Sequence, residues 1–473
     1  MSIKISKRNL VILLLFCCVL SRIATSIFYI EDIDSLRFAL SLHEFNVAKM
    51  QPHFPGYPIF IIFAKVFYFI TNSMGITFSI IGGLSLFVLI IFTLKLFQIE
   101  LNSISGLLCT AFLFFNPLFW LMSNRYMPDL MGLSISIVSL YFLIFNRNAI
   151  RFLIIGFFLA GILCGTRLSY LPLLILPMLH AFYKQNDKYI IFLSFSIGCL
   201  IWLIPFVWIT GWEKLYAVAL KQTTGHFNDF GGTVITDGIW HHRIFNMIRS
   251  LWADGLGGYW LGRSWQTLFL SAPMLYFFYH TFISFKNKNL NQKHVLIISS
   301  LFIYIVWVFF FQNIIHKSRH ILPLIGFCII LLNIGMTEVR YKNGLVGYVY
   351  IGILFLGLCN VTLVLTSQHQ KPNAISSIKD SIIEKDISYP IVSIPLINYY
   401  LNKHGLKNEL FDIENKNDIE LIKLSERDSL LLIGNFKKKF SDHYILTHDS
   451  TYYHNPYVNR MWSEINMYGL KKK

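Results

Sequence analysis

Three carboxylic acids, Glu31, Asp32 and Asp34, lie within four residues in the segment YIEDIDSLRF, directly after the first long apolar stretch. Placing three carboxylates beside a bilayer costs on the order of several kcal/mol unless they are hydrated or paired. Carboxylates in such a position can act as a general base on a substrate hydroxyl, or they can bind a cation. This cluster is therefore the first candidate for chemistry in the chain.

Basic side chains form a second group of candidates, and each lies at an end of an apolar run. They are Arg125 in SNRYMPD, Arg167 in GTRLSYLP, and His316, Lys317, Arg319 and His320 in NIIHKSRHILP. Arginine and lysine at such positions suit an anionic head group such as a phosphate, which arginine binds through two parallel hydrogen bonds. For Arg125 alone, contact with lipid head groups explains the position equally well.

The composition indicates a membrane protein that must position these groups with helices. Of the 473 residues, 55% are hydrophobic and 14% are charged, whereas a soluble domain carries about 25% charged residues. Much of the net charge of +16 lies in short connections between apolar runs, while residues 367–473 hold 15 basic and 13 acidic side chains. The charge therefore gives no reason to expect a nucleic-acid partner.

Apolar runs of spanning length recur until about residue 366. They are 9–28, 76–97, 104–122, 129–146, 152–165, 168–183, 189–209, 264–284, 295–312, 320–337 and 344–366. Basic residues such as Lys95, Arg151 and Lys184 occur at alternate ends of these runs, which assigns those ends and the N-terminus to the cytoplasm. This alternation requires that the short segment 54–71 does not cross, so we interpret it as a helix in the outer interface.

The predicted fold is an α-helical polytopic protein of the inner (plasma) membrane, with about eleven transmembrane helices and additional outer interfacial helices. Residues 1–366 form the membrane domain, with a first outer loop at 30–75 and a large outer loop at 210–263. The large loop carries Trp212, His241 and His242 among glycines and aspartates, a composition typical of a mobile loop that closes over a polar ligand. Two adjacent histidines without partners do not make a metal site.

Residues 367–473 are expected to form a soluble extracytoplasmic α/β domain. YPIVSI and SLLLIGN are typical of buried strands, DHYILTH of an edge strand, and PLINYYLNKHG of a helix that ends at Gly405. ENKNDIELIKL is a second candidate helix. The segment contains no glycine-rich phosphate loop and no nucleophile elbow, so we assign no chemistry to it.

The segments DSLRFAL (34–40) and QPHFPGYP (51–58), together with GTRLSYLPLL, SRHILPL and HNPYVNRMW, resemble the GT-C glycosyltransferases. That superfamily includes bacterial protein O-mannosyltransferases and aminoarabinose transferases. The resemblance implies an inverting transfer from a polyprenyl-phosphate-linked sugar to a glycan, lipid or protein acceptor. Its catalytic base corresponds best to Asp34, then to Asp32, and Asp129 matches a second acidic position.

The residues agree with that chemistry. One carboxylate can deprotonate an acceptor hydroxyl as it attacks the anomeric carbon. The departing lipid phosphate needs positive charge, for which the candidates are Arg319, Lys317, Arg167, His316 and Arg125. Candidate substrate-binding residues are His53, Tyr57, His241 and His242.

Two alternatives are a transporter or lipid-sugar flippase, and an O-antigen ligase or polymerase. A transporter should show internal repeats and mid-membrane ionisable groups, and we find neither in the sequence. Membrane lipids are expected as neighbours. The sequence identifies neither the sugar nor the acceptor, and it leaves open whether a divalent cation such as Mg or Mn takes part.

Overall fold

The structure is a computed structural model that describes residues 6–145, 149–286, 291–314, 317–424 and 427–473. Its contacts divide the chain into two compact units. The first, which we call the membrane unit, comprises Met1–Ser26 and Arg37–Ser367. The second, which we call the C-terminal unit, comprises Ile27–Leu36 and Gln368–Lys473. The acid-bearing segment predicted as part of the first outer loop therefore groups with the C-terminal residues.

Helices account for nearly all regular structure before residue 369. They are α1 (Lys7–Ala24), α2 (Ile33–His43), α3 (Pro58–Thr71), α4 (Met74–Leu96), α5 (Ile104–Phe114), α6 (Pro117–Asn124), α7 (Asp129–Phe145), α8 (Ile150–Arg167), α9 (Pro172–Lys184), α10 (Lys188–Thr210), α11 (Trp212–Asn228), α12 (Trp240–Arg249), α13 (Thr267–Lys286), α14 (Gln292–Phe311) and α15 (Leu322–His369). Every apolar run identified in the sequence contains at least part of one of these helices.

Within the described residues, six helices are long and apolar enough to cross a bilayer, or seven if the bent pair α5 and α6 is one span. That pair bends by 52° between Phe114 and Pro117, where the sequence predicted one uninterrupted run. Asn116 caps α6 and Pro117 occupies its first turn, so the helix must restart there. Helix α15 contains two of the predicted runs and is interrupted at Gly344, which has a non-helical conformation.

Helix α3 has only 14 residues and follows a tight turn in QPHFPGYP. Gly56 and Tyr57 both have positive φ angles, of 83° and 47°. A Cβ atom on Gly56 would lie 2.6 Å from the ring of Phe206, so a larger residue fits neither the backbone nor the space. The turn therefore fixes where α3 begins and where the side chain of Tyr57 is held.

Helix α7 lies between α4 and α8, and α10 packs on α8. Helices α4 and α7 are extensively buried, whereas α10 exposes most of its length, as expected for a helix that faces lipid. On the α8–α10 interface, Trp202 donates from its indole nitrogen to the Gly161 carbonyl at 2.9 Å. This packing fixes the ends of α7 and α8, where Asp129 and Arg167 lie.

The remaining elements of the C-terminal unit form a small α/β domain around a five-stranded sheet with the order β2-β1-β3-β5-β4. The elements are α16 (Ala374–Glu384), β1 (Ile391–Ser393), α17 (Pro395–Lys403), β2 (Leu410–Asp412), α18 (Lys416–Leu424), β3 (Ser429–Ile433), β4 (Tyr444–Tyr453) and β5 (Glu464–Lys472). Strands β2, β1 and β3 are parallel, and β5 and β4 continue the sheet antiparallel. Strands β1 and β3, helices α17 and α18 and the edge position of β4 match the sequence-based predictions.

Candidate active site

A buried charge cluster in the membrane unit joins Asp129 to two of the predicted phosphate-binding arginines. Asp129 Oδ1 lies 2.8 Å from the guanidinium Nη2 of Arg167 and 3.9 Å from Nε of Arg319. All three side chains are buried, with Asp129 only 1% exposed. Two arginines around one carboxylate leave the described cluster with a net positive charge, held away from bulk water where electrostatic interactions are strong.

Each member of this cluster lies at the end of a helix. Asp129 is in the first turn of α7, where the partial positive charge of the helix N-terminus favours a carboxylate. Arg167 is the last residue of α8, and Arg319 lies in a short 3-10 turn, Ser318–Ile321, that precedes α15. Gly132 leaves space for Arg167, because a Cβ atom there would lie 2.3 Å from the Arg167 Cβ.

The turn before α3 contributes the aromatic side of the cluster. Arg167 donates from Nη1 to the hydroxyl oxygen of Tyr57 at 3.2 Å, and that oxygen lies 3.1 Å from Nε2 of His53. The Phe38 ring packs edge-on against both the His53 and Tyr57 rings. The structure thus brings the predicted substrate-binding pair His53 and Tyr57 together with Arg167.

Residues that the sequence analysis did not select complete the surroundings of the arginines. Tyr170 donates its hydroxyl to the Arg319 carbonyl at 3.5 Å, and Arg319 Nη1 lies 2.8 Å from the sulfur of Met127. Tyr170 follows Arg167 in GTRLSYLP, so its spacing of three residues could have identified it as a neighbour on the same side of a helical turn.

Lys317, another predicted phosphate-binding residue, influences the pKa of the same histidine, His226, as Arg167 does. Burial lowers the pKa of His226, the hydrogen bond to the Phe311 carbonyl raises it, and the positive charges of Lys317 and Arg167 lower it. The His226 Nε2 lies 3.0 Å from that carbonyl. Lys317 also directly precedes the turn Ser318–Ile321 that contains Arg319, so the chain itself places it next to the cluster.

Three other predicted site residues are Arg125, His241 and His242. Arg125 is buried at the C-terminal end of α6, with Nη1 3.7 Å from the sulfur of Met122. His241 and His242 are exposed on α12, and their ring centroids lie 4.5 Å apart. Their immediate neighbour Arg243 is buried and donates to the carbonyls of Gly232, Phe309 and Gln312. His316 lies outside the described residues.

Much of the stretch 210–263, which was predicted to be a large outer loop, is helical. It folds as α11, α12 and a π-helical turn, Ser250–Gly255. On α12 the residues Trp240, Ile244 and Ile248 are exposed and recur every fourth position, while Arg243 is directed into the protein. This helical periodicity was present in the sequence and identifies a helix with one apolar face.

The predicted acids Glu31, Asp32 and Asp34 lie in the C-terminal unit and are buried. Asp32 immediately precedes α2, and its Oδ1 accepts a hydrogen bond from the backbone N–H of Ser35 at 2.8 Å. This is the geometry of a helix N-cap. Asp34 lies in the first turn of α2. Glu31 forms a 2.6 Å hydrogen bond through Oε2 with Nε2 of His369.

Within the part of the chain that the structure describes, His, Cys, Asp and Glu side chains form no group of three or more that could hold a metal ion.

Among known family models and curated proteins, none matches this sequence. Solved structures match its fold. ArnT from Cupriavidus metallidurans bound to undecaprenyl phosphate superposes with a TM-score of 0.56 over 97% of both chains, at 9% sequence identity. The same protein in the apo state gives a TM-score of 0.54, with the same coverage and identity. The chain therefore shares the fold of ArnT over nearly its whole length.

Proposed function

We propose that this chain is a membrane glycosyltransferase that transfers a sugar from a polyprenyl-phosphate donor to an acceptor outside the cytoplasm. The observation that carries the proposal is the shared fold over 97% of both chains with a protein solved bound to undecaprenyl phosphate. The short motifs DSLRFAL and QPHFPGYP, and the buried cations beside the second motif, are further support.

The donor phosphate is assigned to Arg167, Arg319 and Lys317, with Arg125 and His316 as further candidates. Asp129 contacts both arginines, so its role in this proposal is to orient their guanidinium groups. A fixed pair of guanidinium groups can stabilise the negative charge that builds up on a departing phosphate without reorganising during the reaction. Tyr57 and His53, which adjoin Arg167, are assigned to the substrate.

Asp34 is assigned as the base. This choice follows the motif DSLRFAL, in which Asp34 occupies the position that corresponds best to the base of the GT-C enzymes, with Asp32 as the second candidate. In the reaction the acceptor oxygen forms a bond to the anomeric carbon as the bond from that carbon to the phosphate oxygen breaks. The acceptor proton goes to Asp34, the bonding electrons leave with the lipid phosphate, and the anomeric configuration inverts.

The proposed topology follows the distribution of charges. Residues 1–366 cross the inner (plasma) membrane with the N-terminus in the cytoplasm, and residues 367–473 lie on the extracytoplasmic side. About eleven spans satisfy this arrangement, with α3 in the outer interface. A reporter fused after Ser367 is expected to give an extracytoplasmic signal, and a cytoplasmic signal would contradict the proposed orientation.

The direct test uses the purified chain in lipid nanodiscs with a panel of synthetic undecaprenyl-phosphate-linked hexoses and pentoses. Cell-envelope extract supplies acceptors, and mass spectrometry measures released undecaprenyl phosphate. Asp34→Asn is expected to lower release by about a hundredfold or more while leaving the Kd for undecaprenyl phosphate unchanged, because it removes only proton transfer. Arg319→Ala is expected to weaken that binding instead.

An Asp34→Asn variant that releases undecaprenyl phosphate at the wild-type rate would reject the assignment of the base. Release from no donor by the wild-type chain would reject glycosyl transfer itself. Movement of an intact lipid-linked sugar between leaflets, without release, would support the flippase alternative.

A further inference from the structure

The acid-bearing segment Ile27–Leu36 is held by side chains that come more than 300 residues later in the chain. The hydroxyl of Tyr400 donates to the Ile30 carbonyl at 2.5 Å, and the Asn373 side-chain amide donates to the Glu31 carbonyl. In return, the Tyr29 hydroxyl donates to the His369 carbonyl at 2.9 Å. The bonds to the Ile30 and Glu31 carbonyls act on the backbone of the segment, so they fix its path and not only its side chains.

The Glu31 side chain adds a fourth link. Its carboxylate is 2.6 Å from the His369 ring nitrogen, and both side chains are 1% exposed. A carboxylate can only accept, so the His369 Nε2–H donates. His454 lies nearby, since its Nε2 is 3.3 Å from the carbonyl of Gln368, the residue before His369. Burial lowers the pKa of His454 most, the His369 charge lowers it further, and the Glu31 carboxylate raises it. The ionisable groups around Glu31 therefore include two histidines from different C-terminal elements.

The Tyr400 side chain is buried and packed against aromatic rings, which holds its hydroxyl in place as a hydrogen-bond donor. It is fully buried, and its ring lies 4.2 Å from that of His404 and 5.6 Å, edge-on, from that of Trp462. Burial raises its pKa most, a hydrogen bond with Ser376 lowers it, and the charges of Asp380, Asp32 and Glu31 raise it, with a net increase. The hydroxyl thus keeps its proton at neutral pH and remains a hydrogen-bond donor.

The bonds to Ile30 and Glu31 end directly before Asp32, the residue that caps α2. The backbone N–H of Leu36 also bonds to the Asp32 carbonyl, at 3.0 Å, which starts the helix. Because the carbonyls of Ile30 and Glu31 are held by hydrogen bonds, the residue at which α2 begins is also held. The first turn of α2, which contains Asp34, is positioned with it.

We propose that the C-terminal residues Tyr400, Asn373 and His369 are positioning residues for Asp34, through the backbone and the Glu31 side chain. The domain to which the sequence assigned no chemistry thus acts on the reaction. This inference rests on the proposed function, because it needs Asp34 to be the base. Small displacements of a catalytic group, of about 1 Å, can cost roughly a hundredfold in rate, so even loss of one hydroxyl should be measurable.

The test compares Tyr400→Phe with Tyr444→Phe in the full-length chain in nanodiscs. Tyr444 is a matched control, since its buried hydroxyl donates to a backbone carbonyl of the same unit, that of Ile422, at 3.2 Å. Hydrogen exchange of peptides that cover residues 27–36 reports on positioning without any substrate. Tyr400→Phe is expected to accelerate exchange there roughly fivefold to tenfold, and Tyr444→Phe to leave it unchanged.

Turnover on the same donor panel gives the second readout. Tyr400→Phe should lower kcat by about tenfold with an unchanged Kd for undecaprenyl phosphate, whereas Tyr444→Phe should keep the wild-type kcat. Glu31→Gln still accepts from His369 and should retain most of the activity that Glu31→Ala loses. If Glu31→Gln is as inactive as Glu31→Ala, Glu31 acts through its charge and the positioning role assigned to it is wrong.

The outcomes separate this inference from the proposed function. Unchanged exchange in Tyr400→Phe, or faster exchange with a wild-type kcat, would overturn the positioning role even when Asp34→Asn is inactive. If Asp34→Asn is fully active, the proposed base fails, and the positioning role fails with it whatever the exchange data show.

Discussion

Gly132→Ala tests the charge cluster through a single methyl group. Gly132 lies on α7 one turn after Asp129, and a Cβ atom there would lie 2.3 Å from Cβ and 3.0 Å from Cγ of Arg167. Carbon atoms in ordinary contact are about 3.5–4.0 Å apart, so Arg167 must move by roughly 1.5 Å. A shift of that size is enough to break its 2.8 Å contact with Asp129.

The expected magnitude follows from those distances. Overpacking at a rigid helix contact costs about 1–3 kcal/mol, so the thermal midpoint should fall. A charge-assisted hydrogen bond from a misplaced arginine to a phosphate is worth about 1.5–3 kcal/mol. Since 1.4 kcal/mol is a factor of about ten, undecaprenyl phosphate should bind about 10- to 100-fold more weakly.

The assay measures the Kd for undecaprenyl phosphate and the thermal midpoint of the purified chain in nanodiscs. Gly326→Ala is the matched control, because Gly326 is also buried in a helix and a Cβ atom there meets nothing within 4 Å. That variant should bind normally, and its stability should be unchanged or slightly higher. Wild-type binding by Gly132→Ala would refute either the close packing of Arg167 or its role in binding the phosphate.

Two further predictions follow from named contacts. Tyr57→Phe removes the hydroxyl that accepts from Arg167 and should weaken undecaprenyl phosphate binding by roughly fivefold to tenfold in the same assay, with unchanged affinity as the contradicting result. The pKa of His454 is lowered in the folded chain, so the unfolded chain binds more protons as the pH falls. The C-terminal unit should therefore be most stable above about pH 7 and should lose stability below about pH 6.5. Hydrogen exchange of β4 and β5 across that range should show this loss, and it should be smaller in His454→Gln.

Local sequence signals predicted much of the architecture. Long apolar runs became helices because a chain in lipid must satisfy its backbone hydrogen bonds within each segment. Strands β1 and β3 were predictable for a similar reason, since short apolar runs bounded by turn residues form buried strands. Strand β5 was missed because Glu464–Lys472 has polar residues at both ends and Gly469 within it, so its identity depends on pairing with β3 and β4.

The candidate site was likewise predictable only in part from the sequence. Their positions at the ends of apolar runs made Arg167 and Arg319 candidates, although contact with lipid head groups can also place an arginine there. Spacing could not supply the partner of Arg167, because Asp129 comes from another helix and Gly132 matters only through a contact between α7 and α8. Tyr57 was a candidate from its motif, but its contact with Arg167 became visible only in the folded chain, for the same reason.

The grouping of Ile27–Leu36 with the C-terminal residues could not be predicted from the sequence. Glu31 and His369 are 338 positions apart, and neither residue type nor charge pattern identifies such a pair. The sequence presented the three acids as one cluster in which Asp34, then Asp32, was the candidate base, and the structure shows different contacts for Glu31 and Asp32. Glu31 forms a hydrogen bond with His369, Asp32 caps α2, and Asp34 is the residue to which we assign the proton transfer. Two members of this acidic motif are therefore accounted for by contacts that hold the segment and start α2, and our proposal assigns the third to catalysis.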